Sequence, residues 1–264
     1  AGPPAFFLSP LLSPAGRLRV CCEPLIPAKR DHAGETIHDF ARRRIGREAA
    51  ETLVGPMVSG VFGGDARRLS LEHCFPRMAE MERVHGGLFR ALLAKRKTNP
   101  KVSPEGPSGT LTTLEGGIGQ LPEIAANALG ASFAPRSQVR KITPSGDGYI
   151  VSCANGDQWR AQNVVVACPA YTAAALLADA APEAAAALGA IPYSGLAVVC
   201  AGYPRGQVAH PLDGFGFLVP RDGSLRILGC LWTASIFPHQ APENGVLLRT
   251  MLGGATDPEV LSLT

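Results

Sequence analysis

Several things are missing from this sequence, and each absence removes a class of function. There is no CxxC pair, and the seven cysteines, Cys21, Cys22, Cys74, Cys153, Cys168, Cys200 and Cys230, are an odd number. A disulfide framework and a cysteine zinc site are therefore not expected. Four of them, Cys153, Cys168, Cys200 and Cys230, lie in apolar strand-like runs, where a reduced cysteine acts as a small hydrophobe. A reducing compartment, the cytoplasm, follows. The six histidines are scattered, with no two at metal-ligand spacing, and read as surface or capping residues. No metal is expected. No apolar run reaches the roughly 18 residues that cross a membrane. Charged residues make up only 18% of the chain, and the net charge of +3 comes without a long basic tract. Nucleic acid is therefore not an expected partner. The one basic cluster, Lys95-Arg96-Lys97, ends an apolar helical pattern, where cations complement the helix dipole.

What is present is apolar and regular. Hydrophobic residues form 46% of the 264, enough for a substantial core. Residues 1 to about 97 read as helical. Phe6 to Leu12 is a short apolar stretch, and the chain opens without Met or the basic flank of a signal peptide. It looks like the middle of something longer. Ile37, Phe40, Ala41, Ile45, Ala49 and Leu53 recur at helical spacing, with Arg42, Arg43 and Arg44 mostly off the stripe and Gly46 dividing it. Gly60 to Asp65 reads as a turn. Ser70 reads as the N-cap of a helix that carries Leu71, Cys74, Phe75, Met78, Met81, Leu88, Leu92 and Leu93, with Pro76 early enough in it to be tolerated.

Lys97 to Thr110 is rich in Pro, Ser and Gly and reads as a linker. Beyond it the texture becomes α/β. A helix carries Ile124, Ala125, Ala128 and Leu129. Gln138 to Ile142 is a strand, and a hairpin turns at Ala154-Asn155-Gly156-Asp157. Asn163 to Ala167 reads as a continuous buried strand of a parallel sheet. An Ala-rich helix from Ala173 to Leu188 is interrupted near Pro182. Four further strands follow: Leu196 to Tyr203, Gly214 to Val219, Arg226 to Trp232 and Val246 to Leu252. Glycines inside or beside these runs let a flat ligand or another backbone approach the sheet.

Five segments, in order, carry a resemblance. They are Glu35-Thr36-Ile37-His38-Asp39-Phe40 with Arg42-Arg43-Arg44-Ile45-Gly46; Gly60-Val61-Phe62-Gly63-Gly64-Asp65 with Leu69-Ser70 and Cys74-Phe75-Pro76; Glu115 to Pro122; Val164 to Ala170; and the glycine-bearing strands around Gly214 to Pro220, Leu228 to Trp232, Phe237-Pro238 and Leu248 to Gly254. Together they resemble the oxygen-dependent, FAD-containing protoporphyrinogen oxidases of the flavin amine oxidase superfamily.

The resemblance implies an α/β (mixed α+β) fold in three parts. Residues 1–100 would be a helical unit facing a membrane and covering the substrate. Residues 108–170 would be the middle of a discontinuous, Rossmann-like FAD-binding domain. Residues 171–264 would be a mixed substrate-binding sheet. It implies oxidation of protoporphyrinogen IX to protoporphyrin IX by FAD and molecular oxygen, in haem biosynthesis. Coproporphyrinogen III oxidation by the same chemistry remains open, as does a non-catalytic tetrapyrrole-binding or membrane-docking role.

No side chain here would do covalent or acid–base catalysis, because the flavin carries the chemistry. Val139 would meet the flavin adenine through its backbone, with Ala167 and Pro169 beside the dinucleotide. Gly216, Leu218, Ile227 and Met251 would line the tetrapyrrole slot. Two parts of the family pattern have no counterpart: the Gly-x-Gly-x-x-Gly turn, for which Gly116-Gly117-Ile118-Gly119 is a poor match, and a C-terminal flavin segment. The expectation is a partial chain that holds no flavin alone. Peripheral membrane contact is expected, and a homodimer stays open.

Overall fold

The structure is a computed structural model that describes residues 9–98, 111–221 and 225–262. The chain divides into two compact units, Ala1–Glu115 with Ser194–Thr264, and Gly116–Tyr193.

The first unit opens with helices whose ends are set by local chemistry. Ser13 caps α1 (Pro14–Cys21) by accepting the Gly16 amide, and its own amide and hydroxyl go to Glu48. Thr36 caps α2 (Ile37–Ile45), accepting from the Asp39 amide at 3.1 Å and donating to the Asp39 carboxylate at 2.8 Å. Gly46, at φ 91°, ends α2 as expected.

The chain resumes as α3 (Arg47–Ala49), a π-helical turn (Ala50–Val54) and α4 (Gly55–Phe62). Pro56 explains the wide turn: it has no amide to donate and its ring crowds the carbonyl one turn back. The expected turn at Gly60 to Asp65 is shorter than the sequence suggested. The helix runs through Phe62, and only Gly63, at φ 59°, is left-handed. The expected single helix from Ser70 is two, α5 (Leu71–Cys74) and α6 (Pro76–His85), because the residue before a proline avoids helical geometry and Phe75 sits at φ −133°. Helix α7 (Leu88–Thr98) follows. Leu93, expected on the apolar face, is exposed. Residues 1–8 and 99–110, holding part of the expected apolar stretch and most of the expected linker, lie outside the described residues.

Three small cores hold these helices: Leu12 with Val20 and Ala49, Ile37 with Val58 and Ala66, and Phe40 with Leu71 and Ala79. Between them lies an ionic cluster that the sequence reading missed. Arg44 is fully buried rather than off the stripe, as are Glu23 and Glu82. Its guanidinium donates to Glu23, to Glu82 at 3.2 Å and to the Ile26 carbonyl at 3.0 Å. Arg43 grips Glu82 at 2.6 and 2.8 Å and Glu35 at 3.0 and 3.2 Å, two bidentate pairs. His32 is buried too, against the expectation of surface histidines, with Nδ1 2.6 Å from Glu35. Burial pushes the Glu35 and Glu82 carboxyls up. Burial is the largest single influence, but it is exceeded by the sum of the Arg43 hydrogen bonds and charge with His32 and Lys29 at Glu35, and with the Lys29 amide and Arg44 at Glu82, so both carboxyls are held below the ordinary carboxylate range.

The second unit begins with α8 (Gln120–Leu129), on which Leu121, Ile124 and Leu129 are exposed. Strands β1 (Val139–Ser145), β2 (Gly148–Cys153) and β3 (Gln158–Ala161) form an antiparallel meander, with the β2–β3 turn where the sequence placed it. Helices α9 (Ala170–Leu177) and α10 (Pro182–Gly189) break before Pro182, as expected. Asn163 to Ala167 is not the expected buried strand. It carries no regular secondary structure, pairs with no strand among the described residues, and Val165 is 91% exposed. Its apolar sequence suits a sheet centre, yet without neighbours on both sides such a run cannot be buried.

The first unit ends in a sheet of β4 (Leu196–Pro204), β5 (Gly216–Leu218), β6 (Ile227–Trp232) and β7 (Gly245–Gly253), followed at β6 by the short α11 (Thr233–Ile236). The order is β4-β7-β6-β5 and each pairing is antiparallel, so the expected mixed sheet is antiparallel among the described residues. Connections between successive strands are short enough for antiparallel return. Cys153 and Cys230 are buried as expected, but Cys168 and Cys200 are exposed. No described helix is long and apolar enough to cross a membrane.

Candidate functional site

The register of the four-stranded sheet places three of its residues in one row. Leu218 of β5 faces Gly229 of β6, and Gly229 faces Met251 of β7. Directly opposed residues share a face, so Leu218 and Met251 flank a glycine on the same side. The row continues to Val198 on β4. Leu228, Gly229 and Cys230 of β6 are all buried, Leu228 at the bulge beside Gly229.

Glycine is required at two of these positions. Gly216 sits at φ 139°, where a Cβ would fall on the Cys230 carbonyl, and a Cβ on Gly229 would lie 2.5 Å from the Phe217 carbonyl. The strands therefore come together across bare backbone.

Of the four residues expected to line a slot, Leu218 and Met251 share the row directly. Gly216 lies two residues along β5, opposite Leu231. Ile227 stands apart: a bulge between Ile227 and Gly229 shifts its partner to Leu252. The slot side is bounded by α4. The Leu218 side chain rests on Gly60, and Leu196 rests on Gly63. Gly63 also anchors the sheet's far end, its carbonyl accepting the Ala255 amide at 2.7 Å.

In the second unit, Val139 begins β1 and pairs with Cys153, with a register shift immediately after it. Ala167 lies in that unpaired segment and is exposed, and Pro169 is the N-cap of α9. The Ala170 amide, at the start of that helix, donates to the Tyr193 hydroxyl at 2.9 Å. Exposed, unpaired backbone beside small side chains fits the close approach of a large cofactor or of another strand.

A cavity of about 550 Å³ lies where α4, the π turn and the end of β5 meet, lined by Pro56, Ser59, Arg67, Pro220 and Arg221 among others. The sequence reading placed Asp65 only in a turn and gave none of the cavity's charged residues a role, since they come from segments far apart in the chain. No cluster of metal-ligating side chains occurs among the described residues.

The chain was compared with known proteins. The model of the flavin containing amine oxidoreductases matches residues 3–264. The coproporphyrinogen III oxidase of Bacillus subtilis (strain 168) is 31% identical over 264 residues, covering 98% of this chain and 55% of that protein. The human protoporphyrinogen oxidase is 32% identical over 232 residues, covering 84% of this chain and 48% of that protein. The chain thus spans about half the length of the curated relatives it matches. A crystal structure from Exiguobacterium sp. 255-15 superposes with a TM-score of 0.79 at 22% identity, over 98% of this chain and 55% of that one. At that identity the likeness shows the fold alone.

Proposed function

Because the chain belongs to the flavin-containing amine oxidoreductase family, we propose that it supplies the substrate sheet and part of the FAD site of an enzyme that oxidises protoporphyrinogen IX to protoporphyrin IX, with oxygen as final acceptor, in haem biosynthesis. The observation that carries this reading is the row Leu218–Gly229–Met251: two flexible apolar side chains flanking bare backbone, suited to a broad, flat, apolar molecule. Gly216 extends this surface along β5, whereas Ile227, paired with Leu252 beyond the bulge, lies off it.

When bound, FAD accepts hydride from the porphyrinogen. In this reading the chain's own residues hold and shield. Val139 meets the adenine through its backbone, and Ala167 and Pro169 lie along the dinucleotide. Leu218 and Met251 hold the macrocycle and exclude water. Each hydride lost from the macrocycle is accompanied by a proton, which leaves to solvent; no side chain of this chain is assigned to carry it.

A second substrate has a specific observation in its favour. The relative from Bacillus subtilis that matches 98% of this chain is named for coproporphyrinogen III. Two substrates, protoporphyrinogen IX and coproporphyrinogen III, given in turn with FAD and oxygen to the full-length enzyme that contains this chain, separate the readings by the rate at which porphyrin fluorescence appears. Binding of a porphyrin by that full-length protein with turnover of neither substrate would instead support a non-catalytic tetrapyrrole carrier.

The helical part of the first unit is proposed to touch a membrane peripherally. Leu11, Leu18, Leu25 and Leu93 are exposed there, on or beside short helices. Flotation with liposomes of mixed and anionic lipids tests this, and a chain that never floats refutes it.

A further inference from the structure

We propose that Tyr193 is a positioning residue for FAD: its hydroxyl fixes the end of the segment Val164–Pro169 and so presents Ala167 and Pro169 to the dinucleotide. This inference deepens the flavin reading above and rests on it.

The segment has almost no bonds of its own. Among the described residues, no backbone amide from Asn163 to Cys168 makes a hydrogen bond, and Pro169 has no amide to give. Ala167, Cys168 and Pro169 are all exposed. The first tied amide past this stretch is that of Ala170, and its partner is a side chain from 23 residues further on, the Tyr193 hydroxyl at 2.9 Å. Pro169 is held from its other side, where its carbonyl accepts the Thr172 and Ala173 amides, each at 2.9 Å. The ring of Pro169 restricts its φ, so the direction set at the start of α9 is passed back toward Ala167.

The hydroxyl is itself held in place. The Tyr193 ring packs edge-on against Tyr171, in the first turn of α9, with centroids 5.1 Å apart and planes at 82°. Tyr193 therefore meets that turn twice, through its oxygen and through its ring. All these residues belong to the second unit. The other tie near α9, Lys141 to Asp179 at 2.6 Å, is half-exposed at both partners and lies beyond the far end of the helix. It cannot set the position of Ala167.

The physical gain is preorganisation. A backbone that is free to move must be ordered when a ligand binds along it, and each fixed point removes part of that cost. Tyr193 is more than half exposed, so water can reach the Ala170 amide if the hydroxyl is removed. Water satisfies the amide but does not hold it at a fixed point. One neutral hydrogen bond corresponds to about a three- to tenfold change in affinity.

The test uses the full-length enzyme that contains this chain, stripped of flavin and titrated with FAD by the change in flavin fluorescence. Tyr193→Phe removes only the oxygen. Tyr171→Phe removes a hydroxyl with no hydrogen bond among the described residues. Ala167→Leu adds bulk where the dinucleotide is proposed to lie. Tyr193→Phe should weaken FAD about three- to tenfold. Its urea midpoint without flavin, and its Michaelis constant for porphyrinogen at saturating FAD, should stay at the wild-type values. Tyr171→Phe should bind FAD as wild type does, and Ala167→Leu should bind it more weakly.

Normal FAD affinity in Tyr193→Phe beside a weakened Ala167→Leu overturns the role of Tyr193 and leaves the flavin reading intact. An equal loss in Tyr171→Phe also overturns it. So does a flavin-free Tyr193→Phe protein that unfolds, or whose urea midpoint falls in step with its affinity, because the hydroxyl would then be a helix cap and no more. If Ala167→Leu binds FAD like wild type, the flavin reading of this segment falls, and the proposal falls with it.

Discussion

The Leu218 side chain fills the space that a side chain on Gly60 would need: its Cδ2 lies 2.6 Å from where a Cβ on Gly60 would stand. The glycine is mid-helix in α4, at ordinary helical geometry, so its role is contact and not backbone freedom. Gly60→Ala should gain a little helix propensity, up to about 1 kcal/mol. The obstructing atom is the end of a flexible side chain, so stability should change little in a urea titration. Leu218 should be pushed toward the tetrapyrrole, and porphyrin binding should weaken. Adding Leu218→Ala should relieve the clash, so the two substitutions should be non-additive in a double-mutant cycle. Additive effects on binding would show that Leu218 does not carry the Gly60 contact to the ligand.

Gly216→Ala should behave in the opposite way. At φ 139° an alanine is strained, and its Cβ would meet the Cys230 backbone, which cannot move without breaking the β5–β6 pairing. A loss of about 2–5 kcal/mol is expected from strain and overpacking together. Urea unfolding should show it as a fall in midpoint, and a variant within about 0.5 kcal/mol of wild type would mean that β5 can leave the sheet at little cost.

The buried ionic cluster predicts sensitivity to acid. Glu35 and Glu82 bind protons less readily folded than unfolded, so the stability they contribute is complete above the ordinary glutamate value of about 4.3 and is lost as pH falls below it. Urea midpoints measured from pH 7 to pH 3 should drop in the lower half of that range. Glu82→Gln removes one of the two carboxylates and leaves Arg43 and Arg44 under-paired. It should cost roughly 3–5 kcal/mol at pH 7 and flatten the acid limb. An unchanged acid limb would show that other carboxylates govern acid unfolding.

Much of this architecture was legible because it is written locally. Ser13, Thr36 and Gly46 announce helix ends, and Ala154 to Asp157 announces a hairpin. The strands of the larger sheet were legible from apolar runs punctuated by glycine. What failed was long-range. Nothing near Arg44 in the sequence shows that Glu82 will meet it from another helix. Asn163 to Ala167 has the composition of a central strand, but composition does not supply the neighbours that would bury it. The bulge beside Ile227 is likewise invisible until β7 is paired, and it separates Ile227 from the row its spacing suggested.

Met251 gives the sharpest test of the slot. It lies on β7, an interior strand of the sheet, half-buried, opposite Gly229 and Val198. Met251→Lys would put an ammonium where the flat apolar ring is proposed to lie, and an unpaired buried charge is strongly unfavourable. In the full-length enzyme that contains this chain, with FAD and oxygen supplied, porphyrinogen turnover should collapse while flavin binding and the urea midpoint change little, because the half-open site lets the ammonium reach water when no ligand is present. Met251→Leu, close in volume, should cost under about 1.5 kcal/mol and only modest activity. Trp159→Phe, on β3 of the other unit, should leave the Michaelis constant unchanged. Normal turnover by Met251→Lys would remove Met251 from the slot. Loss of folding or of flavin by the same variant would instead make Met251 part of the ordinary sheet core, and the row Leu218–Gly229–Met251 would then be packing and nothing more.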